Sequence, residues 1–345
     1  MSTKKKILFV IGSPNQTTQM HQIAQQLTEY DCWFSQIYDE HWYADFGIKM
    51  GWLDHTIVTG HFKEKGDKYL ADHQLQVDYR GQKHHYDLVL MCTDLIVPAN
   101  VRATKSIWVQ EGMIDKTTWW STVVKSLRLP GWIGMDTSLN GSSNLCDVYC
   151  AASEGYKQFF TKMGTDSDKI IVTGMPNFDN IEQFTHNNFP YQDYVMVATS
   201  DIRECFRYED RPAFIRQCVE IAKGRQLIFK LHPNEIYDRA VREIREIAPA
   251  DVMIFQEGNT NEMIANCQEL ITQYSTVVYV GIALGKKVHS FFDVNELKRL
   301  APLQNGGTSA QNIATVCRAY IEFEGKGKAF TQQFEYKPVT HREYA

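Results

Sequence analysis

Two short apolar runs in the C-terminal half of the chain end abruptly in residues that can bind anions. The first run leads into His232 and Pro233, and the second leads into Ser275 and Thr276. A buried strand that ends in a polar turn is how an open parallel sheet presents a ligand at its carboxyl edge. We therefore predict that residues 226–293 form the ligand-binding part of a parallel sheet.

Short apolar runs of this kind alternate with helical segments along most of the chain. In the first half they lie at residues 6–11, 87–92 and 106–109, and in the second half at 194–198 and 226–231. Apolar runs of about four to eight residues predict strands that are buried on both faces. Strands that alternate with helices predict doubly wound parallel sheets, so the expected fold class is α/β.

A chain of 345 residues is too long for one ordinary hydrophobic core, which predicts two domains. The polar segment at 184–191, FTHNNFPY, separates the two series of strands and is interpreted as a linker. We expect two Rossmann-like, doubly wound parallel-sheet domains that face each other across a cleft. The first spans residues 1–183, and the second, which binds the nucleotide donor, spans 192–325. The charged and aromatic tail at 326–345 either packs back on the first domain or is mobile.

Charge and cysteine pattern narrow the classes of function. Lys and Arg number 36 against 41 Asp and Glu, and the formal net charge of −5 provides no basic field for nucleic acid. The eight cysteines are scattered, which indicates the reduced thiols of a cytosolic protein. No stretch approaches the roughly 18 apolar residues that a membrane span requires. We expect a soluble, cytoplasmic protein, and a peripheral contact with the inner face of the membrane stays open.

The strand ends of the second domain supply candidate phosphate ligands. Pro233 restricts the residue before it to extended geometry, which would hold His232 at the sheet edge with its ring able to donate to a phosphate oxygen. Ser275 and Thr276 follow a strand and open a helix, where hydroxyls and free N–H groups attract anions. The alternatives are a histidine beside an ordinary turn and an ordinary helix cap.

Glu111 is the candidate base of the first domain. It lies in the segment Gln110–Gly112, directly after a predicted strand. A carboxylate at this edge could take the proton from an acceptor hydroxyl as a sugar is transferred. Gly112 permits close approach of the backbone to a ligand. The alternative is a solvated loop glutamate.

Three further groups are candidates. Arg203 and Arg207 lie in the loop after the first strand of the second domain, where either could clamp a diphosphate, and Arg203 is preferred. Surface ion pairs with nearby acidic residues are the alternative for both. Gly12 and Ser13 form a short glycine turn after the first strand of the chain. The turn matches no known phosphate loop, but both residues are included as candidate phosphate ligands.

An aromatic run in the first domain has two interpretations. The run consists of three tryptophans and two basic residues: Trp119, Trp120, Trp132, Lys125 and Arg128. These side chains could bind a sugar or contact a lipid surface, or they could be buried in the core. The histidines show no metal-ligand spacing, and the chain has no DxD run to hold a divalent cation. We therefore predict no metal and no cofactor.

Several motifs resemble those of known families. The stretch LITQYSTVVYVGIALGKKV, at 270–288, looks like the signature of the CDP-glycerol glycerophosphotransferases of teichoic acid synthesis. The set of Gln110–Gly112, His232–Pro233 and Ser275–Thr276 resembles three short motifs of bacterial sialyltransferases and polysialyltransferases. Both groups have the GT-B fold, two Rossmann-like domains with the active site between them. The resemblance implies that Glu111 is the general base and that the other two motifs bind the donor's phosphate.

One further segment is similar to known enzymes, whereas three positions depart from the family motifs. The segment at 173–179 is similar to a turn common in GT-B enzymes and UDP-GlcNAc 2-epimerases. Gln273 stands where the teichoic acid enzymes usually have an aspartate, and Val280 stands where a glutamate often holds the donor ribose. Gln110 replaces the first acidic residue of the sialyltransferase motif. These departures leave the donor open among CMP-, CDP- and UDP-linked compounds.

From these residues and the resemblance we predict a metal-independent, inverting glycosyltransferase. It would move a sugar or polyol phosphate from a nucleotide donor to a cell-surface polysaccharide or glycolipid acceptor. One alternative is an enzyme like UDP-N-acetylglucosamine 2-epimerase, which needs no acceptor. The other is a catalytically inactive, nucleotide-sugar-binding protein of the same fold.

Overall fold

The structure is a computed structural model that describes residues 4–40, 46, 49–50, 60–127, 129, 131–134, 137–204 and 207–339. The chain separates into two compact units. One consists of Met1–Asp179 together with Asn305–Ala345, and the other of Asn180–Gln304. Each unit is built on one parallel sheet, so the predicted α/β fold class is confirmed.

The sheet of the first unit has six strands in the order β2-β1-β3-β4-β5-β6, and every neighbouring pair is parallel. The strands are β1 (Lys6–Ile11), β2 (Asp31–Gln36), β3 (Leu88–Met91), β4 (Ser106–Val109), β5 (Val148–Ala151) and β6 (Ile170–Val172). The chain runs from β1 outward to β2 and then returns to β3 on the other side of β1. The switch in strand order therefore lies between β1 and β3, which is where open α/β sheets bind ligands.

The first unit contains five helices before the chain enters the second unit, counted over the described residues. They are α1 (Pro14–Gln25), α2 (Gly60–Asp72), α3 (Ala99–Ala103), α4 (Trp119–Ser126) and α5 (Glu154–Met163). Ser13 caps α1 by accepting a hydrogen bond from the Gln16 N–H at 3.2 Å. Gly164 ends α5 with a φ of 106°, a conformation that favours glycine.

The second unit has five parallel strands in the order β11-β10-β7-β8-β9. The strands are β7 (Val195–Ala198), β8 (Leu227–Lys230), β9 (Met253–Phe255), β10 (Glu269–Thr272) and β11 (Lys287–His289). The helices are α6 (Arg211–Ala222), α7 (Tyr237–Ile247), α8 (Thr260–Asn266), α9 (Val278–Ala283) and α10 (Val294–Leu300). Strand order switches between β7 and β10, so the loops after these strands flank the expected ligand edge.

The last two helices belong to the first unit. They are α11 (Ser309–Glu322) and α12 (Lys328–Gln333). Ile313 and Cys317 of α11 are fully buried in the same core as Ile7 and Phe9 of β1. The turn that precedes the second unit anchors the start of α11, because the Asp179 carboxylate accepts from the Ser309 N–H at 2.7 Å.

The unit boundaries differ from those expected from the sequence. The sequence interpretation placed the last helix in the second domain, whereas α11 packs in the core of the first unit. The reason is that the alternation of strands and helices in the sequence gives their order along the chain. It does not show which of the two sheets a helix packs against. The tail also contacts α11, since the Val339 N–H donates to Asn312 Oδ1 at 2.8 Å. Among the described residues, no helix is long and apolar enough to cross a bilayer.

Candidate functional site

In the second unit, the loop after β7 contacts the loops that follow its two neighbouring strands. The Ser200 hydroxyl donates to the Tyr274 carbonyl oxygen, after β10, at 3.1 Å. Asp201 Oδ2 accepts from the Asn234 side-chain amide, after β8, at 2.8 Å. Two consecutive residues therefore connect the loops that carry His232 and Ser275, and the structure places both predicted ligands at one edge of the sheet.

His232 is held by its backbone and oriented by its ring contacts. Its N–H donates to Thr199 Oγ1 at 3.0 Å and to Glu235 Oε2 at 2.9 Å. Ring atom Nδ1 accepts from the Asn234 N–H at 3.3 Å and lies 3.6 Å from Asp201 Oδ2. A neutral ring that accepts at Nδ1 carries its proton on Nε2. The His232 side chain is 34% exposed.

Ser275 and Thr276 lie in the turn that leads into α9. The Val277 N–H points at the Ser275 hydroxyl oxygen at 3.5 Å, and the Tyr279 N–H donates to the Thr276 carbonyl at 3.0 Å. Both residues are half-buried. Val280, four residues further on, is fully buried in α9, so this position packs in the core of the unit.

A buried network of charges lies behind this edge. The guanidinium of Arg211, which is 1% exposed, pairs with Glu235 and lies 3.1 Å, at Nε, from Glu209 Oε2. Glu209 also accepts from the Gln273 amide at 2.6 Å. Glu235 accepts from the His232 N–H, and Gln273 directly follows β10. This network therefore connects the end of β8, which leads to His232, with the end of β10, which leads to Ser275.

Arg203 and Arg207 have different surroundings. Arg203 donates to both carboxylate oxygens of Glu243, at 2.9 and 2.8 Å, and its Nε lies 3.2 Å from Glu209 Oε2. These contacts, first of all the hydrogen bonds that Arg203 donates to Glu243, raise the pKa of Arg203. Arg207 is exposed, and its guanidinium lies over the Tyr274 ring, 5.5 Å from the ring centroid. The ion pairs that were the alternative interpretation are therefore present for Arg203.

In the first unit, the Gly12–Ser13 turn and Glu111 come together at the β1/β3 switch point. The Ser13 hydroxyl donates to Glu111 Oε1 at 3.4 Å, and the Gln16 amide donates to Oε2 at 3.5 Å. Burial of the carboxyl raises the pKa of Glu111, and the hydrogen bonds from Gln16 and Ser13 offset part of this effect. The residue as a whole is half-buried, and the carboxyl is its buried part.

Gln110 holds the backbone on either side of Glu111. It is fully buried, its amide donates to the Gly112 carbonyl at 3.0 Å, and its Oε1 accepts from the Ala152 N–H at 2.9 Å. The Gln19 amide in turn donates to the Gln110 carbonyl at 2.9 Å. Both ends of the Gln110 amide are used, which fixes the loop after β4 against the end of β5.

Asp94, after β3, is a buried acidic residue that the sequence interpretation missed. It accepts from the Gly141 N–H at 2.6 Å, the Ser143 hydroxyl at 2.7 Å and the Tyr149 hydroxyl at 3.1 Å. Burial raises its pKa, and these hydrogen bonds partly offset that effect. The sequence feature that could have identified Asp94 is its position after a predicted strand. Because its oxygens are occupied, Asp94 holds the loop at 139–145 in place.

A cavity of about 600 Å³ opens in the first unit. It is lined by the segments that follow β2 and β3, by Lys125 of α4, and by Leu129 and Trp132. Trp119, at the start of α4, is 77% exposed, so it is not part of buried packing. Arg128, which the sequence grouped with these residues, lies outside the described part of the chain. Among the described residues, no cluster of three or more His, Cys, Asp or Glu side chains could hold a metal ion.

No model of a known protein family matches the chain, and a comparison with curated protein sequences finds no match. Solved structures do match. A Listeria monocytogenes protein, assigned provisionally as a UDP-N-acetylglucosamine 2-epimerase, has a TM-score of 0.58 at 12% identity, over 98% of this chain and 100% of that one. The UDP-GlcNAc 2-epimerase of Neisseria meningitidis, bound to UDP-GlcNAc, has a TM-score of 0.54 at 13% identity, over 91% and 99%.

A third similar structure is the wall teichoic acid polymerase TagF soaked with CDPG. Its TM-score is 0.50 at 12% identity, over 92% of this chain and 89% of that one. Identities this low show the fold alone. The chain therefore has the two-domain, GT-B type of fold found in these nucleotide-sugar epimerases and in this polymerase.

Proposed function

We propose that the chain is a nucleotide-sugar enzyme, and that its reaction is the 2-epimerisation of a UDP-linked N-acetylhexosamine. The main support for the proposal is the environment of Glu111. Its carboxyl, with a pKa raised by burial, lies beside the switch point of the first sheet. Structures of the same fold include the Neisseria 2-epimerase bound to UDP-GlcNAc. The proposal is thus the epimerase alternative of the sequence interpretation rather than its glycosyltransferase.

The second unit holds the phosphates of the nucleotide. His232 Nε2–H and the hydroxyls of Ser275 and Thr276 supply hydrogen-bond donors on loops that Ser200 and Asp201 connect. Donors that are fixed before the ligand arrives stabilise negative charge without further reorganisation. This arrangement suits a diphosphate and calls for no metal ion in its binding.

Glu111 moves the proton. To invert a carbon that carries hydrogen, the hydrogen must leave one face and be replaced on the other. A carboxyl whose pKa is raised toward the working pH can accept this proton from one face of C2. The electron pair of the C–H bond then forms a C1=C2 double bond while the bond from C1 to the diphosphate breaks. When the diphosphate bonds to C1 again, a proton that originates from solvent adds to the other face of C2. Ser13 and Gln16 hold the carboxyl in one place, so Glu111 serves one face of C2 only.

Incubation of UDP-GlcNAc with the protein in D₂O, without any acceptor, tests the proposal. We expect the 2-epimer in the proton NMR spectrum, with deuterium at C2. Glu111→Gln should lower turnover by roughly 100-fold or more but bind UDP as the wild type does. Glu154→Gln, at an exposed position of α5, is the matched control and should behave as wild type. Absence of both the epimer and the deuterium would contradict the epimerase proposal.

Transfer to an acceptor is the second candidate function. The cavity of about 600 Å³ in the first unit favours it, because its volume suits an acceptor sugar. Transfer requires both a donor and an acceptor, so the donor alone would yield no epimer. A new glycan or glycolipid product from a UDP-, CMP- or CDP-linked donor, without any 2-epimer, would decide for transfer. Nucleotide binding with neither reaction would indicate an inactive binding protein.

A further inference from the structure

We infer that one surface of the first unit docks on a membrane whose lipids carry negative charge. This surface, called the α4 surface below, consists of the exposed side chains of Trp119, Trp120, Lys125, Leu127 and Leu129. The sequence alone left its aromatic residues open between a sugar, a lipid surface and buried packing. The inference goes beyond the proposed reaction and does not rest on it, because none of these residues moves the proton or holds the nucleotide.

Helix α4 packs against its unit by one side and leaves large apolar side chains on the other. Ser121 and Val124 are fully buried, whereas Trp119 is 77% exposed. Leu127, about two turns further along and at the end of the helix, is 65% exposed. An exposed group of large apolar side chains marks a binding surface, because contact with water is unfavourable for each of them.

The exposed apolar side chains continue from the helix to a second segment of the first unit. Leu129 and Leu145 line the cavity described above together with Lys125, and they are 39% and 46% exposed. The cavity therefore joins α4 and the segment around residue 145 into one continuous surface, on which a basic side chain lies beside apolar ones.

The α4 surface is held in place before any partner binds. The Ser121 N–H donates to Thr118 Oγ1 at 3.0 Å, and the Thr118 N–H donates to Ser121 Oγ at 2.8 Å, which forms a capping box at the start of α4. The Trp120 indole donates to the Ile133 carbonyl at 3.0 Å. Little conformational freedom is therefore lost when the surface meets a partner.

The charge of this part of the chain is opposite in sign to that of the whole. Between residues 116 and 135 the sequence has three cations, Lys116, Lys125 and Arg128, and no Asp or Glu, although the formal net charge of the chain is −5. Lys125 is exposed, and no carboxylate in the described part of the chain pairs with it. A local excess of basic residues on an acidic protein favours a partner with negative charge.

Tryptophan, leucine and lysine together match the chemistry of a bilayer surface. Indole rings prefer the boundary between lipid headgroups and acyl chains, which accommodates both their apolar body and their N–H group. Lysine and arginine are attracted to anionic headgroups, and this attraction adds to the burial of apolar surface. A second copy of this chain fits less well, because a symmetric dimer would place the same cations against each other.

Sedimentation of the full chain with lipid vesicles tests the inference. The vesicles contain phosphatidylcholine alone or phosphatidylcholine mixed with phosphatidylglycerol. The protein should bind the anionic vesicles roughly 10-fold or more tightly than the neutral ones, and about 1 M salt should remove most of this preference. Trp119→Ala combined with Leu127→Ala should weaken binding roughly 10-fold or more, because two apolar side chains no longer enter the bilayer. Lys125→Gln should weaken binding to the anionic vesicles alone, by about 3- to 5-fold.

Matched variants remove similar side chains from other parts of the protein surface. Tyr208→Ala combined with Ile236→Ala removes two side chains of the second unit that are 90% and 57% exposed. Lys65→Gln removes an exposed lysine of α2. Both should bind vesicles as the wild type does. Every variant should keep the melting temperature of the wild type, because the replaced side chains are exposed.

Three results would overturn the inference. One is a wild-type protein that does not sediment with the anionic vesicles, or that sediments equally with neutral ones. Another is a doubly substituted variant, Trp119→Ala with Leu127→Ala, that binds as tightly as the wild type. The third is a dimer in light scattering without lipid that this variant abolishes, because a second copy would then cover the α4 surface. The assay for 2-epimerisation contains no lipid, so failure of the inference and failure of the proposed function are distinguishable.

Discussion

Gln110 and Gln273 occupy positions where the families that the sequence resembles have acidic residues. Gln110 both donates, to the Gly112 carbonyl, and accepts, from the Ala152 N–H. Gln273 donates to the buried carboxylate of Glu209. An ionised carboxylate can accept but cannot donate. The need for a hydrogen-bond donor therefore explains why glutamine stands at both positions. The two replacements do not indicate that the chain has lost catalytic activity.

Gln273→Glu should destabilise the protein by roughly 3–5 kcal/mol at pH 7.5. The substitution places a second carboxylate against Glu209, 2.6 Å from where the amide nitrogen now donates, at a position with 0% exposure. Urea unfolding measures the change. Gln217→Glu, at an exposed position of α6, is the control and should shift stability by less than about 0.5 kcal/mol. A loss below about 1 kcal/mol for Gln273→Glu would show that Glu209 does not need the amide.

Glu111 should make the wild-type protein less stable as the pH rises. Because burial raises its folded-state pKa above the usual value of 4.5, the folded state binds this proton more tightly than the unfolded state does. Its contribution is therefore fully favourable below pH 4.5, and it declines as the pH rises toward the folded-state pKa.

Urea unfolding of the wild type and Glu111→Gln from pH 4 to pH 8 tests this dependence. The variant, which cannot ionise, should be the more stable of the two at high pH, and the difference should shrink toward pH 4. The opposite trend, a variant that loses stability as the pH rises, would mean that the charged carboxylate is well solvated or paired. Glu111 would then be an unsuitable proton carrier.

At the scale of the elements, the sequence predicted the sheets well because a strand buried on both faces is a continuous apolar run. The runs at 87–92 and 106–109 correspond to β3 and β4, and the polar residue after each strand is at the edge of the sheet. Residues at strand ends, such as Glu111 and His232, could therefore be found from the sequence. Their placement depends only on the strand that precedes them.

Loop residues and sheet membership could not be found in the same way. Arg203 and Arg207 share one loop, and only their contacts with Glu243 and Tyr274 separate them. The two buried partners of Arg211, Glu209 and Glu235, come from two different segments, which a linear pattern does not bring together. Likewise, the amphipathic pattern of α11 shows one buried face but not the sheet that buries it.

For the molecule as a whole, the two units differ in how the chain forms them. The second unit is one continuous segment, Asn180–Gln304, whereas the first needs residues from both ends of the chain. We therefore expect residues 180–304, expressed alone, to unfold cooperatively and to retain UDP binding, since its phosphate ligands are all within that segment. Circular dichroism and calorimetric titration would measure both. A fragment that is unfolded, or that binds no UDP when the full chain does, would contradict this independence.

A chain that stops at residue 304 should lose the fold of its first unit. Such a truncation removes the α11 side chains that are buried in that core, among them Ile313, Val316, Cys317 and Tyr320. At about 1.5–3 kcal/mol for each of these four side chains, the loss is roughly 6–12 kcal/mol. A domain has only about 5–15 kcal/mol of stability in total, so hydrogen exchange should show β1 and β3–β5 unprotected while β7, β8 and β10 stay protected. Protection throughout the first sheet would mean that α11 covers this core without being needed for it.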